Sequence, residues 1–177
     1  MFVSRPRLLM GFKDAKQLEG DALTLRDVLS SLALDAMFSR GSETFEALYD
    51  ARLIAGDFGA GYQAEPGFGY AVIGGETPEP EKLEAAVITE IKRARDKGVD
   101  AAAIERKRRK YLGQFLRAFN EPEGTAYAYI GAIGQGSELF DVPAMVESVT
   151  LDQVNQRIKE LLTPGNYSTS LILPQGK

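Results

Sequence analysis

The segment Gly56–Gly75, GDFGAGYQAEPGFGYAVIGG, contains two strands and the turn between them. Aromatic and β-branched strand formers are interspersed with glycines on both sides of the turn. The pattern predicts antiparallel strands over roughly Gly56–Gln63 and Gly69–Gly75, joined at Glu65-Pro66-Gly67. Gly67-Phe68-Gly69 lacks the third glycine and the following helix of a dinucleotide-binding fingerprint, so turn and strand glycines are the better interpretation.

Two further segments have the pattern of strands, and the stretches between them have the pattern of helices. Leu8 to Phe12 is a short apolar run, typical of a buried strand, and Tyr167 to Leu173 alternates in the manner of a last strand. Apolar residues elsewhere recur at helical spacing. Six helices are expected from their start and end signals. The first begins at a capping box, Thr24–Asp27, the second at a cap, Ser42, and the last at a capping box, Thr150–Gln153. The three between them run from Pro78–Pro80 to Gly98, from Asp100 to about Phe119, and from Pro122 to Ile133.

Helix pairs between strands, together with the hairpin, predict an α+β fold. We expect an antiparallel β-sheet backed by helices on one face, as a two-layer sandwich. No linker or low-complexity tract interrupts the pattern, and 177 residues with 44% hydrophobic content are enough for one sizeable core. We therefore expect a single domain over residues 1–177.

Composition argues against several classes of function. A formal charge of −4, from 21 basic and 25 acidic residues, does not suit a general polyanion binder. No apolar run approaches the ~18–20 residues that span a bilayer, and Met1 to Arg7 does not resemble a signal peptide. The absence of cysteine excludes a disulfide scaffold and is compatible with the cytoplasm. We expect a cytoplasmic protein with no membrane partner.

One basic run, Arg106 to Lys110, resembles a nucleic-acid patch at first sight. At about 100° per residue, five consecutive side chains spread around the whole helix and form no single stripe. We therefore expect a solvated helix face and not a nucleic-acid partner. Arg108 differs, because it falls in the apolar arc near Ile104 and Phe115. We expect it either to pair with a carboxylate or carbonyl of a neighbouring helix, or to extend to solvent at the edge.

The residue types offer no recognisable catalytic or metal site. The chain contains no histidine and no cysteine, so the common zinc ligands and any imidazole base are missing. Acidic residues are abundant, but Asp14, Glu19 and Asp21 lie in an expected loop without an identifiable partner. Ser30 and Ser31 lie within a helix and not at a nucleophile elbow. We assign no catalytic residue, metal ligand or bound cofactor, and expect no catalytic activity from this chain alone.

Several stretches, taken in order, resemble the C-terminal half of the insulinase/pitrilysin-type zinc peptidases. They are Leu9–Lys13 in the opening strand, Phe38–Glu43 and Leu48–Ile54 at a helix–helix corner, Gly67–Gly75 in the next strand, Lys107–Phe119 in a long helix, and Leu162–Asn166 with Leu171–Pro174 at the closing strand. No single piece is specific, but their succession covers nearly the whole chain. The resemblance is greatest to the bacterial processing-peptidase-like members, relatives of the mitochondrial processing peptidase.

The resemblance implies a definite role. Enzymes of this family pair two similar halves around a chamber for unfolded peptides. Their N-terminal half carries a His-x-x-Glu-His zinc motif, whose Glu activates the metal-bound water. This chain is then expected to be the non-catalytic C-terminal half, which forms part of the peptide-binding chamber and docks the His-bearing half, where zinc is expected. Peptide would be held largely through backbone contacts, as in strand addition.

The resemblance also points to two residues. Many members place an Arg and a Tyr of the C-terminal half near the substrate, and the corresponding stretch here is Leu48 to Phe58. It offers Tyr49 and Arg52, in the opposite order to the family's pattern. We expect Tyr49 and Arg52 either to line the substrate chamber or to pack at the helix corner.

Two alternative functions stay open at this point. The chain could be a separate, catalytically silent subunit that pairs with an active one. It could also be a scaffold or binding protein, with nucleic acid bound through the basic helix; steeply salt-dependent retention on a polyanion would indicate that function.

Overall fold

The computed structural model describes residues 5–16 and 18–174. The elements are, in chain order, β1 (Arg7–Lys13), α1 (Gly20–Phe38), α2 (Glu43–Asp50), β2 (Gly59–Glu65), β3 (Phe68–Glu76), α3 (Pro80–Lys97), α4 (Ala101–Ala118), α5 (Pro122–Gln135), a 3-10 turn (Leu139–Asp141), α6 (Val142–Ser148), α7 (Leu151–Leu161) and β4 (Ser168–Ile172).

Within the described residues, the four strands form one antiparallel sheet in the order β2-β3-β1-β4. β1 therefore pairs with β3 on one side and with β4 on the other. The predicted hairpin is confirmed, because Glu65 pairs with Phe68 across a two-residue turn. β2 begins at Gly59 and not at Gly56 as predicted.

The pairing of β1 with β3 requires glycine at one position. Gly74 has a φ of 156°, and a Cβ built there would lie 2.0 Å from the carbonyl oxygen of Leu8. Any side chain at Gly74 would therefore push β3 away from β1.

The helices cover one face of this sheet. Leu8, Met10 and Phe12 of β1 point to that face and are buried, and the residues between them are partly exposed. α1 packs against β2 and α7, and α3 packs against β1 and α7. On the opposite face of the sheet, Phe68 and Tyr70 of β3 are exposed. The predicted α+β, two-layer arrangement is confirmed.

The buried side chains form one cluster between the sheet and the helices. Its largest fully buried members are Met10, Phe12, Val28, Leu32, Leu34, Met37, Phe38, Ile73, Leu83, Ile91, Ile158 and Leu162. β1, β3 and every helix except α5 thus contribute buried residues to the same core, whereas no residue of β4 is buried.

The start and the buried face of α1 differ from the prediction. The helix begins at Gly20, so Thr24 lies inside it and donates a hydrogen bond to the Gly20 carbonyl at 3.4 Å instead of capping the helix. Because α1 starts one turn earlier than predicted, it also includes Leu23, which is buried. The helical spacing predicts an inward face of Leu25, Val28, Leu29, Leu32 and Ala36. Only Val28 and Leu32 are fully buried, and the other three are partly buried. Because β2, α4 and α7 surround α1, this helix has buried residues on most sides and no single apolar stripe.

Most of the other predicted helix ends are confirmed, although α5 ends at Gln135 and not at Ile133 as predicted. Ser42 caps α2, and Asp100 caps α4 through its side chain. Thr150 and Gln153 form a full capping box at the start of α7. Gly98 ends α3. These local signals hold because each satisfies backbone groups of its own helix and needs no tertiary contact.

Arg108 ties α4 to the segment between α6 and α7. Its Nη2 donates to the carbonyl oxygen of Val149, and its Nη1 donates to Glu105 at 3.0 Å. The predicted carbonyl clamp is therefore confirmed. The neighbouring residues of the basic run behave as a solvated face: Arg109 pairs with Glu105, and Lys110 pairs with Asp35.

A buried ionic network joins the sheet to two helices. Asp14, which directly follows β1, accepts hydrogen bonds from Arg157 of α7 and, at 2.6 Å, from the hydroxyl of Tyr62 in β2. Arg26 of α1 lies 3.3 Å from the same carboxylate oxygen. Arg157 also donates to Ser30 at 2.8 Å. The exposed fractions of Asp14 and Arg157 are only 9% and 4%.

The network holds Asp14 in its ionised form. Burial alone would raise the pKa of this carboxyl, but the hydrogen bonds from Arg157 and Tyr62 and the two guanidinium charges hold its pKa below the ordinary value. Burial and the bond to Asp14 raise the pKa of Tyr62 in turn, so its hydroxyl stays a donor. Removing the carboxylate would leave Arg26 and Arg157 buried without a counter-charge.

We predict that Asp14→Asn destabilises the fold more than Arg157→Met does. The first change leaves two buried cations unpaired and should cost about 3–5 kcal/mol of unfolding free energy. The second leaves Asp14 paired with Arg26 and Tyr62, so its cost should be clearly smaller. Urea unfolding at pH 7 measures both.

The surface pair of Arg7 with Asp57, 3.7 Å apart, supplies the control. Asp57→Asn should cost no more than about 1 kcal/mol. Because the pKa of Asp14 is lowered, the difference between wild type and Asp14→Asn should shrink as the pH falls below about 4. An unfolding free energy of Asp14→Asn equal to that of Asp57→Asn would contradict the account.

Candidate functional site

The turn after α2 brings Tyr49 and Arg52 to one cleft. Tyr49 is 58% exposed and stacks on Phe45, with ring centroids 6.3 Å apart. Arg52 lies just beyond the helix with a φ of 57°, in the left-handed region. Both line an open cleft of about 980 Å³, together with Asp50 and Pro78. We call this the corner cleft. The structure brings the two predicted residues together at an open surface, and their contact with a substrate remains a prediction.

The edge of β2 opposite β3 carries unpaired backbone groups. Residues that flank a two-residue turn form a hydrogen-bonded pair, and such pairs recur at every second residue of the hairpin. Ala60, Tyr62 and Ala64 fall between those pairs, so their N–H and C=O groups point away from β3. Gln135 donates to the Ala64 carbonyl at 3.4 Å, in agreement with this orientation. In the described part of the chain, no group forms a hydrogen bond to the backbone of Ala60 or Tyr62 at this edge.

A cavity of about 220 Å³ lies between this edge and the helices α1 and α4. We call it the β2 cavity. Its polar and aromatic lining comprises Ser31 and Asp35 of α1, Tyr62 of β2, and Lys107, Lys110, Tyr111 and Gln114 of α4. The cavity therefore combines a free strand edge with charged side chains from two helices.

The cationic side chains of the β2 cavity exceed the anionic ones. Lys110 pairs with Asp35 at 2.7 Å, and Lys107 donates to the hydroxyl of Ser39. Burial lowers the pKa of Lys107, and the positive charges of Lys110 and Arg106 act in the same direction against the opposing charge of Asp35. An additional anion in this cavity would relieve that repulsion.

Asp27 and Tyr111 form a poorly solvated pair beside the β2 cavity. Burial raises the pKa of Asp27 to about 6. Burial, together with the charge of Asp27, raises the pKa of Tyr111 to about 12. At neutral pH the Tyr111 hydroxyl is therefore protonated, and Asp27 carries a charge that its surroundings stabilise poorly.

The helix α5 has an apolar surface that no element of the described structure covers. None of its residues is buried, and Tyr127, Ile130 and Ile133 are 74%, 65% and 60% exposed. Leu116 and Phe140 nearby are also exposed. We call these five residues the α5 surface. Next to it lies an apolar groove of about 580 Å³. Phe119 after α4, Phe140 of the 3-10 turn, and Tyr129 with other residues of α5 line this groove.

The α5 surface differs from an ordinary solvated helix face. A helix that is apolar on most sides is usually buried, and the small and apolar residues of α5 show that pattern. Contiguous exposed apolar patches on soluble proteins commonly mark contact sites for other chains. The apolar stretch Ala126–Ile133 within α5 is a sequence signal of this surface, but periodicity alone does not distinguish an internal from an external partner.

Two further observations concern ligands and membranes. No group of three or more Asp or Glu residues in the described ranges is placed to hold a metal ion. None of the helices that the structure describes is long and apolar enough to cross a membrane.

Comparison with known proteins reveals extensive similarity to zinc proteases. The chain is 33% identical over 176 residues to the uncharacterized zinc protease YmfH of Bacillus subtilis, and the match covers 99% of this chain and 41% of YmfH. The crystal structure of an M16-like peptidase from Alicyclobacillus acidocaldarius superposes with a TM-score of 0.93 at 31% identity, over 99% of this chain and 42% of that one. No family model matches.

A third comparison concerns a single half-domain. The inactive peptidase domain of a zinc protease from Bordetella parapertussis has the same fold, with a TM-score of 0.83 at 19% identity over 99% of this chain and 94% of that one. This chain thus spans about two fifths of the longer relatives.

We predict that Asp27→Asn stabilises the protein at neutral pH. The folded-state pKa of Asp27 lies above its ordinary value of 3.8. The contribution of Asp27 to the free energy of unfolding is therefore fully present below pH 3.8 and is lost as the pH rises through about 6. The asparagine variant should therefore match wild type near pH 4 and exceed it by about 2 kcal/mol at pH 7.5. Unfolding curves at the two pH values measure the difference.

Asp21→Asn, at an exposed position of the same helix, is the control. It should not reproduce the pH-dependent gain. Equal pH profiles for wild type and Asp27→Asn would contradict the assignment of Asp27 as a destabilised carboxylate.

Proposed function

We propose that this chain, a half-domain of the M16-like, insulinase-type zinc peptidases, acts as the non-catalytic C-terminal half of a larger zinc-dependent endopeptidase. One observation carries the proposal: the chain matches two fifths of zinc proteases over nearly its whole length, yet contains no histidine and no cysteine. The common protein ligands of a catalytic zinc must then come from another part of the enzyme. We place the zinc in that catalytic half.

Within this proposal, residues 1–177 form one domain that helps to enclose the peptide chamber. The corner cleft supports a role for Tyr49 and Arg52 in lining that chamber, because both side chains lie at an open surface. The cytoplasmic location remains a prediction from composition.

The alternative of a nucleic-acid scaffold is not favoured. Three members of the basic run are engaged by protein groups: Arg108 by the Val149 carbonyl, Arg109 by Glu105, and Lys110 by Asp35. Two of the five cations are thus paired with carboxylates and Arg108 is turned inward, so the run presents less net positive charge than its sequence suggests. A separately encoded silent subunit would perform the same chamber and docking role, so it differs from the main proposal in gene organisation alone.

We further propose that the α5 surface docks the catalytic half. The relatives are more than twice as long as this chain, so more than half of each lies outside the matched region. An apolar helix face that no residue of the described ranges covers is the kind of surface that the remainder of such an enzyme would bury.

The function is tested by mixing experiments with a quenched, unfolded peptide and zinc. The chain alone should be inactive, the His-bearing half alone weakly active, and the mixture fully active, because the chamber is complete only with both halves. Cleavage rates measure each case. Activity of this chain alone would overturn the proposal, as would a mixture of two folded halves that is no more active than the catalytic half.

The docking surface is tested by substitution on α5. The double change Tyr127→Glu and Ile130→Glu should weaken binding to the catalytic half by about tenfold or more, because charges would be buried in an apolar interface. Isothermal titration measures the dissociation constant. Arg109→Glu, on the solvated face of α4, is the control with a comparable charge change and should leave binding within about twofold. Equal dissociation constants for the α5 and α4 variants would exclude α5 as the docking surface.

A further inference from the structure

We infer that the catalytic half meets the α5 surface with a face that is apolar at its centre and carries lysine or arginine residues around it, so that opposite charges steer the two halves together. The inference deepens the proposed function and rests on it for the identity of the partner. It adds the chemistry of the partner's contact face.

The first step is the distribution of charge along the chain. No lysine or arginine occurs between Arg117 and Arg157, a stretch that includes α5 and α6. We call it the acidic stretch. Its acidic residues are Glu121, Glu123, Glu138, Asp141, Glu147 and Asp152. All 21 basic residues of the chain lie outside it, where they slightly outnumber the remaining acidic ones. The net negative charge of the chain therefore comes from the acidic stretch.

The second step is the surroundings of these carboxylates. All six are exposed, and none forms a salt bridge within the described ranges. In the sequence, Glu121 and Glu123 flank Pro122 at the start of α5, and Asp141 follows Phe140 of the 3-10 turn. Pro122 and Phe140 both line the apolar groove next to the α5 surface. Negative charges from two elements thus border an apolar contact surface.

The third step is the room that α5 leaves for a partner. Gly131 and Gly134 each follow an exposed isoleucine of the α5 surface, Ile130 and Ile133. A Cβ built at either glycine would meet no atom within 4 Å. Glycine in the interior of a helix lowers the stability of that helix. At these two positions it also lets another element approach the helix backbone closely, between the apolar side chains.

The fourth step is the choice of occupant. Complementary charges raise the rate at which two proteins meet, and apolar contact at the centre of an interface then holds them together. More than half of each longer relative lies outside the region that this chain matches, so the rest of such an enzyme is large enough to cover the surface. A second copy of this chain suits the surface less well, because Arg109 and Lys110 of its basic run are already paired with carboxylates.

A graded series of variants tests the role of charge. The neutral pair combines Glu123→Gln with Asp141→Asn, and the reversed pair combines Glu123→Lys with Asp141→Lys. Surface plasmon resonance with the His-bearing half measures the association rate constant at about 50 and about 500 mM NaCl. At the lower salt concentration we expect the rate constant to fall about threefold in the neutral pair and about tenfold in the reversed pair. The wild-type rate constant should fall about tenfold at the higher salt concentration, because salt screens the charges.

Glu81→Lys combined with Asp96→Lys is the matched control. Both residues are exposed on α3, and Glu81 lies in the first turn of its helix, as Glu123 does in α5. This control makes the same change in net charge as the reversed pair, so it separates local from overall charge. Its association rate constant should stay within about twofold of wild type. Because all four substituted residues are exposed, urea unfolding should show that every variant is folded.

Each outcome bears on the inference. Association that slows in the order of the charge at positions 123 and 141, with the control unchanged, supports it. Equal rate constants for the reversed pair and the control overturn it, while the binding itself leaves the proposed function standing. A wild-type rate constant that does not depend on salt overturns it even if a variant fails to fold. No association between two folded halves overturns the proposed docking as well.

The same variants test for the other occupant. Sedimentation of this chain alone shows whether it associates with a second copy. We expect a monomer, and self-association that the reversed pair abolishes would assign the α5 surface to a second copy and overturn the inference.

Discussion

The carboxylate of Asp14 is the contact on which the arrangement of this half-domain depends. It receives Arg157 from α7, Arg26 from α1 and Tyr62 from β2. A buried ion pair is seldom more stabilising than a well-packed apolar replacement, because desolvation offsets most of the Coulomb attraction. Its directional bonds nevertheless allow few alternative packings. One carboxylate with two hydrogen-bond donors and a further guanidinium, from three different elements, thus fixes how both layers of the fold meet.

The network also determines where the free strand edge lies. Tyr62 belongs to β2, and its hydroxyl is tethered to Asp14 while its ring lies 5.2 Å beneath the guanidinium carbon of Arg157. The same residue contributes backbone groups to the open edge and lines the β2 cavity. The position of the edge relative to α1 and α4 is therefore set by the core and not by a surface loop. A binding site on such a rigid element loses little entropy when a peptide binds.

Much of the fold follows from local sequence, and the site does not. The hairpin, the caps at Ser42 and Asp100 and the Arg108 clamp could all be predicted, since turn chemistry and helical periodicity involve neighbours along the chain. Asp14 was placed in a loop without a partner, because its main partner lies 143 residues away. Ser30 was interpreted correctly as helical, but its contact with Arg157 was not visible for the same reason. The β2 cavity depends on three elements meeting, so no single pattern marks it.

The α5 surface is physically connected to the edge of β2. A 14-residue helix without buried residues gains little from packing and is marginal on its own. Its C-terminal end is held at the sheet, where Gln135 bonds to the Ala64 carbonyl at the end of the free edge. A catalytic half that covers α5 would order the helix and, through Gln135, the end of the β2 edge. Burial of the α5 surface by the proposed partner and ordering of the β2 edge would then favour each other, because Gln135 belongs to the one and bonds to the other.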